Sequence, residues 1–204
     1  VVDLLPPALI PEVARSAIDH GVHMVNTMYT PTELGQMAEA AEERGVMLLP
    51  EMGMDPGIDL VVLGEAARRF ERIDEILSYG SGIPVPEDAD NPLDYEDSWT
   101  FEGVLRSYHR PARLVSRGTT RKLDPTEIFG NPFVHEVEVE GVGTLEAYPN
   151  GDVVDYLHLL GLDPNRMNEA GRYAMRYPGH CAFWDVMARL HLLEAPLYFG
   201  ALWW

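Results

Sequence analysis

Two side chains capable of acid–base chemistry follow neighbouring apolar runs of the sequence: Tyr29 comes after VHMVNTM, and Asp55 comes after VMLLPEM. A carboxylate can accept hydrogen bonds from an ammonium group, and a phenol can donate one. If both runs are strands of one parallel sheet, their carboxyl ends lie at the same edge, where ligands bind in open α/β sheets. The two residues therefore predict the polar floor of a ligand site.

The stretch GMDPGID surrounds Asp55 with two glycines and a proline. Pro56 biases Asp55 toward an extended backbone and fits the first turn of a following helix. Gly53 and Gly57 permit tight turns or a close approach of the backbone to a ligand. The alternative is structural: Asp55 only caps the helix, and Tyr29 is a packed aromatic residue with a satisfied hydroxyl.

The elements that must position these residues alternate regularly. Apolar runs predict strands at 1–5, 22–28 and 46–52, and helical spacing predicts helices at 10–21 and 31–45. Strands and helices at these intervals imply right-handed crossovers and a parallel sheet. This pattern predicts the second half of a doubly wound nucleotide-binding domain over residues 1–56.

The glycine-rich turn that would bind a pyrophosphate is not found in this sequence. GSG at residues 80–82 and GVG at 141–143 do not continue as G-x-G-x-x-G before a helix. We therefore expect the pyrophosphate site to lie outside this chain. We also expect the isolated chain to bind NADPH poorly and to be inactive, so tight binding seen by calorimetry would contradict this expectation.

Residues 57–204 have a different pattern and predict an α+β domain with a mixed sheet, because strands and helices no longer alternate. The predicted elements are helices at 58–70, 101–109, 152–160 and 180–193, strands at 73–79 and 171–177, and β-patterned stretches at 112–122 and 133–148. A loop rich in proline and aspartate lies at 81–97. We predict that it is solvated, or that it folds over the site as a lid.

Composition excludes several classes of function. The formal net charge of −18 repels nucleic acids and anionic membranes. No apolar run reaches the roughly 20 residues of a bilayer span. A single cysteine, Cys181, allows no internal disulfide and favours a cytoplasmic, reducing compartment.

Three other groups of residues invite a metal or nucleophile interpretation and are assigned packing roles instead. His180 and Cys181 begin a helix in which apolar residues recur at core spacing. His135 shares the strand face of Val137 and Val139 and lacks partners at metal-ligand spacing. The acidic run at 87–97 lacks the glycine and the final glutamate of a calcium loop. We predict no metal site.

Several longer motifs together resemble the saccharopine dehydrogenase family in its glutamate-forming branch. In chain order they are VVDLLPP, VHMVNTMY, LLPEMGMDPGID, ILSYGSGIPVPEDADNPLDYEDSWTFEGVL, EAYPNGD and YAMRYPG. The resemblance implies a Rossmann-like domain interrupted by an α+β domain for substrate binding and dimer contact. It also implies hydride transfer between NADP or NAD and the C–N bond of an amino-acid conjugate in lysine metabolism, and a homodimer.

The resemblance also assigns roles to individual positions. The implied cofactor contacts are Thr27, Met28, Met54, Asp55, Pro56 and Thr100. The implied substrate contacts are Met28, Tyr29, Asp55 and Arg176, with Tyr29 and Asp55 as the catalytic pair. Arg176 matches a basic residue that holds a substrate carboxylate, a role suited to a guanidinium.

Departures from the family pattern leave the substrate open. Family members have Cys where this chain has Gly80 and Arg where it has Gly151. Loss of the Arg removes a carboxylate anchor, which disfavours saccharopine itself. The alternatives are a substrate with one carboxylate fewer, a polyamine-derived substrate, or a non-catalytic dimerisation or ligand-sensing module with the same fold.

Overall fold

A computed structural model describes residues 1–96 and 101–193 of the chain. The chain divides by its contacts into two compact units, Val1–Phe70 and a second unit that starts at Glu71. The domain boundary that the sequence predicts after residue 56 stays a prediction. In the part of the chain that the structure describes, no helix is long and apolar enough to cross a membrane.

The first unit is a three-stranded parallel sheet with helical crossovers. Its elements are β1 (Val2–Asp3), α1 (Ile10–Asp19), β2 (Met24–Asn26), α2 (Thr32–Gln36), α3 (Ala38–Glu43), β3 (Leu48–Leu49) and α4 (Ile58–Ala67). The strand order is β1-β2-β3, and both pairs are parallel. The predicted parallel sheet is therefore confirmed, although its strands are shorter than the apolar runs.

The core of this unit forms where α1 covers the sheet. The buried residues of α1 are Ile10, Ala14, Ala17 and Ile18, which recur at the three- and four-residue spacing of one helix face. Met24 of β2 and Leu34 of α2 complete the main cluster.

The single helix predicted over 31–45 is wrong, because the structure has two short helices with Met37 between them. Gly35 lies just before the break and lowers the helical propensity there. The Met37 side chain packs against both buried clusters of the unit. The helix is therefore interrupted at the residue that packs on both clusters, Met37.

Over residues 71–96 and 101–193, the second unit combines one mixed sheet with three α-helices. Its elements are β4 (Glu75–Ser81), α5 (Phe101–Tyr108), β5 (Ala112–Ser116), β6 (Thr119–Leu123), β7 (His135–Val139), β8 (Gly143–Pro149), α6 (Val153–Leu159), β9 (Glu169–Arg176) and α7 (His180–Arg189). The β-patterned stretches at 112–122 and 133–148 are the antiparallel hairpins β5–β6 and β7–β8. The prediction of an α+β part with a mixed sheet is confirmed.

Strand β9 lies at the centre of the mixed sheet. It pairs in parallel with β4 along one edge, from Glu169 to Met175. Its other edge is shared, because β5 pairs with its first two residues and β8 pairs with its last four, which end at Arg176. Six of its eight residues are buried, as expected for a central strand.

The main core of the second unit is aromatic. It gathers Tyr108 of α5, Phe129, Tyr148 of β8 and Trp184 of α7. Tyr108 makes edge-to-face contacts with the other three rings, with centroids 4.9 to 6.1 Å apart. Such contacts add to the stability that burial of the rings provides.

Candidate active site

Tyr29 and Asp55 lie in contact in the first unit. The Tyr29 hydroxyl donates a hydrogen bond to Asp55 Oδ1 at 2.9 Å. Tyr29 is half-buried, whereas Asp55 is exposed. The pair follows the carboxyl ends of the adjacent parallel strands β2 and β3, as the sequence predicts. The Tyr29 phenol and the Asp55 carboxylate therefore lie at the same edge of this sheet.

The loop that carries Asp55 is closed by backbone hydrogen bonds. Gly53 N donates to Pro56 O, and Ile58 N donates to Gly53 O, both at 2.9 Å. Gly57 has a φ of +149°, and a Cβ at this position would lie 2.1 Å from Gly53 O. Only glycine therefore fits at position 57 without movement of the backbone.

Helix α4 begins at Ile58 with Gly57 as its N-cap. Asp55 is therefore not the N-cap, and the alternative that this residue only caps the helix is wrong. The prediction that Pro56 occupies the first turn of the helix is also wrong. Residues 53–57 close a turn of their own, which delays the helix start.

A second contact ties together the two loops that carry the pair. Thr30 donates from both N and Oγ1 to Glu51 Oε1, at 3.0 and 2.9 Å. Backbone bonds from Glu51 N to Met28 O and from Met52 N to Asn26 O extend the β2–β3 pairing into the loops. Sequence reasoning missed Glu51, and the signal for it was a carboxylate that directly follows an apolar run.

The polar residues Asp3 and Asn26 at the ends of β1 and β2 were also missed. They are opposite each other in the sheet, 3% and 1% exposed. Asp3 Oδ1 accepts from Leu5 N, and Asn26 Oδ1 accepts from Met28 N, both at 3.0 Å. Each side chain therefore shapes the turn that leaves its strand, and the second turn leads to Tyr29.

The positions expected to contact a cofactor have different environments. Thr27 is half-buried and lies against Gly53, where a Cβ would be 3.1 Å from Thr27 Cβ. Met28 is half-buried and packs against the core under α1. Met54 is 76% exposed beside Asp55. Thr100 lies outside the described residues. The assigned cofactor roles stay predictions.

Arg176 lies in the second unit, at the end of β9. Its Nη1 donates to Met175 O at 2.7 Å, and its Cζ lies 4.9 Å from the centre of the Tyr95 ring. Its Nε is buried and makes no hydrogen bond. Within residues 71–96 and 101–193, no carboxylate forms an ion pair with Arg176.

Aromatic side chains set the electrostatics around Arg176. Burial by itself would lower the pKa of Arg176, but the phenols of Tyr148, Tyr108 and Tyr95 raise it on balance. Burial also raises the pKa of Tyr108, and it raises the pKa of Tyr148 to about 12. At neutral pH the guanidinium is therefore a cation beside uncharged phenols.

His180 belongs to the same surroundings, and the packing role that the sequence predicts for it is confirmed. It begins α7, is 1% exposed, and its Nε2 is hydrogen bonded to the Tyr108 hydroxyl at 2.9 Å. Burial and then the nearby Arg176 charge lower the pKa of His180 to about 3. Cys181 is buried too, and burial raises the pKa of its thiol.

His135 is also a packed residue, hydrogen bonded to the Tyr79 hydroxyl at 2.9 Å and to Phe133 O at 2.8 Å. Among the described residues, no three histidine, cysteine or acidic side chains come close enough to hold a metal ion.

Comparison with known proteins decides the family. The model of the saccharopine dehydrogenase C-terminal domain matches residues 53–198. The chain belongs to the saccharopine dehydrogenase family. The saccharopine dehydrogenase (NADP(+), L-glutamate-forming) of Saccharomyces cerevisiae is 34% identical to this chain over 198 residues. The match covers 95% of this chain and 44% of that protein. The corresponding protein of Pyricularia oryzae is 30% identical over 211 residues and is covered to 46%.

A structure of a family member supports the same assignment. The apo saccharopine dehydrogenase (L-Glu forming) from Saccharomyces cerevisiae matches with a TM-score of 0.82 and 25% identity, over 95% of this chain and 43% of that one. The mitochondrial alpha-aminoadipic semialdehyde synthase of Rattus norvegicus is 30% identical over 202 residues, which cover 22% of it. The chain thus spans less than half the length of these saccharopine dehydrogenase relatives.

Proposed function

We propose that this chain supplies the reactive pair and the substrate-binding part of an NAD(P)-dependent oxidoreductase. The substrate would be an amino-acid or polyamine conjugate, oxidised or reduced at a CH–NH bond in lysine metabolism. The hydrogen bond between Tyr29 and Asp55, at the carboxyl ends of β2 and β3, is the observation that supports this proposal most directly.

Tyr29 and Asp55 would act on the nitrogen of the substrate. A carboxylate at this edge orients a protonated amine by charge-assisted hydrogen bonds. The phenol already donates to Asp55, so the two groups can pass a proton between the nitrogen and solvent without a large rearrangement. When bound, NAD(P) supplies or accepts the hydride, and Thr27 and the exposed Met54 are the residues that would contact it, whereas Pro56 is buried.

The exposed loop tip at Met54 fits this assignment, because it leaves apolar surface uncovered beside Asp55. A flat nicotinamide ring could pack there next to the reactive pair. Holding the reacting carbon and the nitrogen-binding groups in one place contributes to rate enhancement in hydride transfer.

Arg176 would hold a carboxylate of the substrate. The Arg176 guanidinium is partly buried and has no carboxylate partner among the described residues, and an anionic ligand would offset the cost of that burial. Its planar edge suits a carboxylate better than a lysine ammonium would. Gly151 occupies the position at which the family resemblance implies an anchoring Arg, so that guanidinium is missing here. Its loss supports a substrate with one carboxylate fewer than saccharopine.

We further propose NADP or NAD as cofactor, a homodimer and a cytoplasmic location, with no nucleic-acid or membrane partner. The charge of −18 and the single buried cysteine support the last two points.

A chimaera provides the test of turnover. The 204-residue chain would replace the matching 44% of the S. cerevisiae relative, and formation of reduced cofactor would be followed with saccharopine, shorter N-alkylated amino acids and polyamine conjugates. Asp55→Asn, which keeps the shape but removes the charge, should lower kcat by about 100-fold or more. Arg176→Gln should mainly raise KM. Undiminished kcat in Asp55→Asn would contradict the proposal.

The second candidate is a non-catalytic ligand-sensing or dimerisation module. Gly80 and Gly151, which replace residues usual in the family, favour it. A folded chimaera that binds a conjugate but does not turn over any member of the panel would support this candidate instead.

A further inference from the structure

The Arg176 guanidinium lies over the face of the Tyr95 ring. The distance from Arg176 Cζ to the ring centre is 4.9 Å, within the range of a cation–π interaction. Tyr95 belongs to the loop rich in proline and aspartate, far along the chain from β9. The Tyr95 side chain of this loop therefore packs against the Arg176 cation at the end of β9.

Asn91 fixes the turn that presents Tyr95. Its Nδ2 donates to Tyr95 O at 2.8 Å, and its Oδ1 accepts from Leu93 N and Tyr95 N at 3.1 and 3.3 Å. One asparagine thus satisfies both backbone polar groups of Tyr95. An amide side chain that binds the backbone two to four residues on holds a turn in one conformation.

A second bond attaches the start of this loop to the end of β9. The Tyr177 hydroxyl donates to Pro84 O at 3.1 Å. The Tyr95 ring also meets the His180 ring edge to face, with centroids 5.6 Å apart. The loop is therefore held at its start by Tyr177, at its turn by Asn91, and at the Tyr95 ring by Arg176 and His180.

These contacts leave Arg176 little freedom. The Tyr95 ring packs against the guanidinium, and the bond from Nη1 to Met175 O ties it to the backbone of β9. A free arginine side chain loses much rotamer entropy when it binds a ligand. An arginine that is already held loses less, which strengthens binding.

We propose that Tyr95, braced by Asn91, is the positioning residue that sets the affinity of Arg176 for a substrate carboxylate. This inference rests on the proposed carboxylate-binding role of Arg176. The aromatic ring of Tyr95 holds Arg176 in place and its hydroxyl does not take part. Phenylalanine at position 95 should therefore preserve the affinity for a carboxylate, and an aliphatic residue should lower it.

The first experiment reads the position of Arg176 without any ligand. The Nε–H resonance of Arg176 in the 204-residue protein would be assigned by its loss in Arg176→Gln. Stacking on an aromatic ring shifts this resonance to lower frequency, and burial slows its exchange with water. Tyr95→Leu should remove the shift and speed the exchange, whereas Tyr95→Phe should preserve both. An unchanged resonance in Tyr95→Leu would overturn the inference.

The second experiment measures binding of glutarate, with uncharged 1,5-pentanediol as the matched control ligand. Loss of one cation–π contact should weaken glutarate binding roughly 3- to 30-fold in Tyr95→Leu, with Tyr95→Phe close to wild type. Asn91→Ala should weaken binding in the same direction but less. Circular dichroism and thermal unfolding would verify that each variant is folded.

The outcomes separate the two proposals. If Arg176→Gln binds glutarate as the wild type does, or the wild type does not bind it, the carboxylate role of Arg176 fails, whatever the resonance shows. If Arg176→Gln loses binding and Tyr95→Leu keeps it at wild-type strength, the role of Arg176 stands and the positioning role of Tyr95 is refuted.

Discussion

Mild acid should destabilise this protein through one buried imidazole. His180 is 1% exposed, its Nε2 is hydrogen bonded to the Tyr108 hydroxyl, and its Nδ1 is buried without a partner. Burial and the neighbouring Arg176 lower the pKa of His180 to about 3. The folded state therefore holds the neutral ring, and a proton can be added only at a cost in stability.

The direction and size of the effect follow from linkage. The pKa of His180 is lower in the folded state than in the unfolded chain, where it is about 6.5. The stability contributed by the neutral ring is therefore complete above about pH 6.5 and is lost as the pH falls toward 3. Each pH unit in this window removes about 1.4 kcal/mol, so about 2 kcal/mol is lost at about pH 5.

Urea unfolding at neutral pH and at about pH 5, followed by circular dichroism, would measure this loss. The variant His180→Phe keeps an aromatic ring but cannot take up a proton, so its unfolding free energy should fall by about 2 kcal/mol less than that of the wild type. The exposed His158 offers a matched control, because His158→Gln should keep the wild-type pH dependence. Equal pH dependence in the wild type and His180→Phe would refute the reasoning.

Three further predictions concern local packing. Gly57→Ala should destabilise the protein by about 1 to 3 kcal/mol in thermal unfolding, because its Cβ would meet Gly53 O, whereas Gly35→Ala, with open space, should not destabilise it. Cys181 should react with a maleimide only after denaturation, because it is buried and its thiol pKa is raised; rapid labelling of the folded protein would contradict this. Leu157→Ala should cost about 2 to 5 kcal/mol in urea unfolding, because Leu157 is fully buried, and a loss below about 1 kcal/mol would show that the site collapses around the smaller residue.

Local patterns in the sequence were sufficient to predict most of the helices and strands of the fold. The spacing of Ile10, Ala14 and Ala17 predicted the buried face of α1, and the alternation of strands and helices predicted the parallel sheet. The break at Met37 was not predictable in this way. It accompanies packing on two separate clusters, which is a tertiary effect that overrides helical periodicity.

The same limit applies to the candidate site. Tyr29 and Asp55 could be paired from the sequence because both follow strands of one parallel sheet, and the topology rule brings such ends together. No comparable rule joins Tyr95 to Arg176, since one lies in an irregular loop and the other at a strand end. Their contact depends on the fold of the whole second unit.

The central position of β9 in the mixed sheet determines how firmly Arg176 is held in place. Backbone pairing with β4 holds one edge of this strand as far as Met175, and pairing with β8 holds the other as far as Arg176, so Arg176 should lose its place only when the sheet beside it opens. Tyr29 and Asp55 instead follow strands of two or three residues, and hydrogen bonds between their two loops hold them in place. Sheet pairing therefore positions Arg176 in the second unit, whereas contacts between loops position Tyr29 and Asp55 in the first, so loss of one strand pairing and loss of one loop contact should be separable in hydrogen exchange.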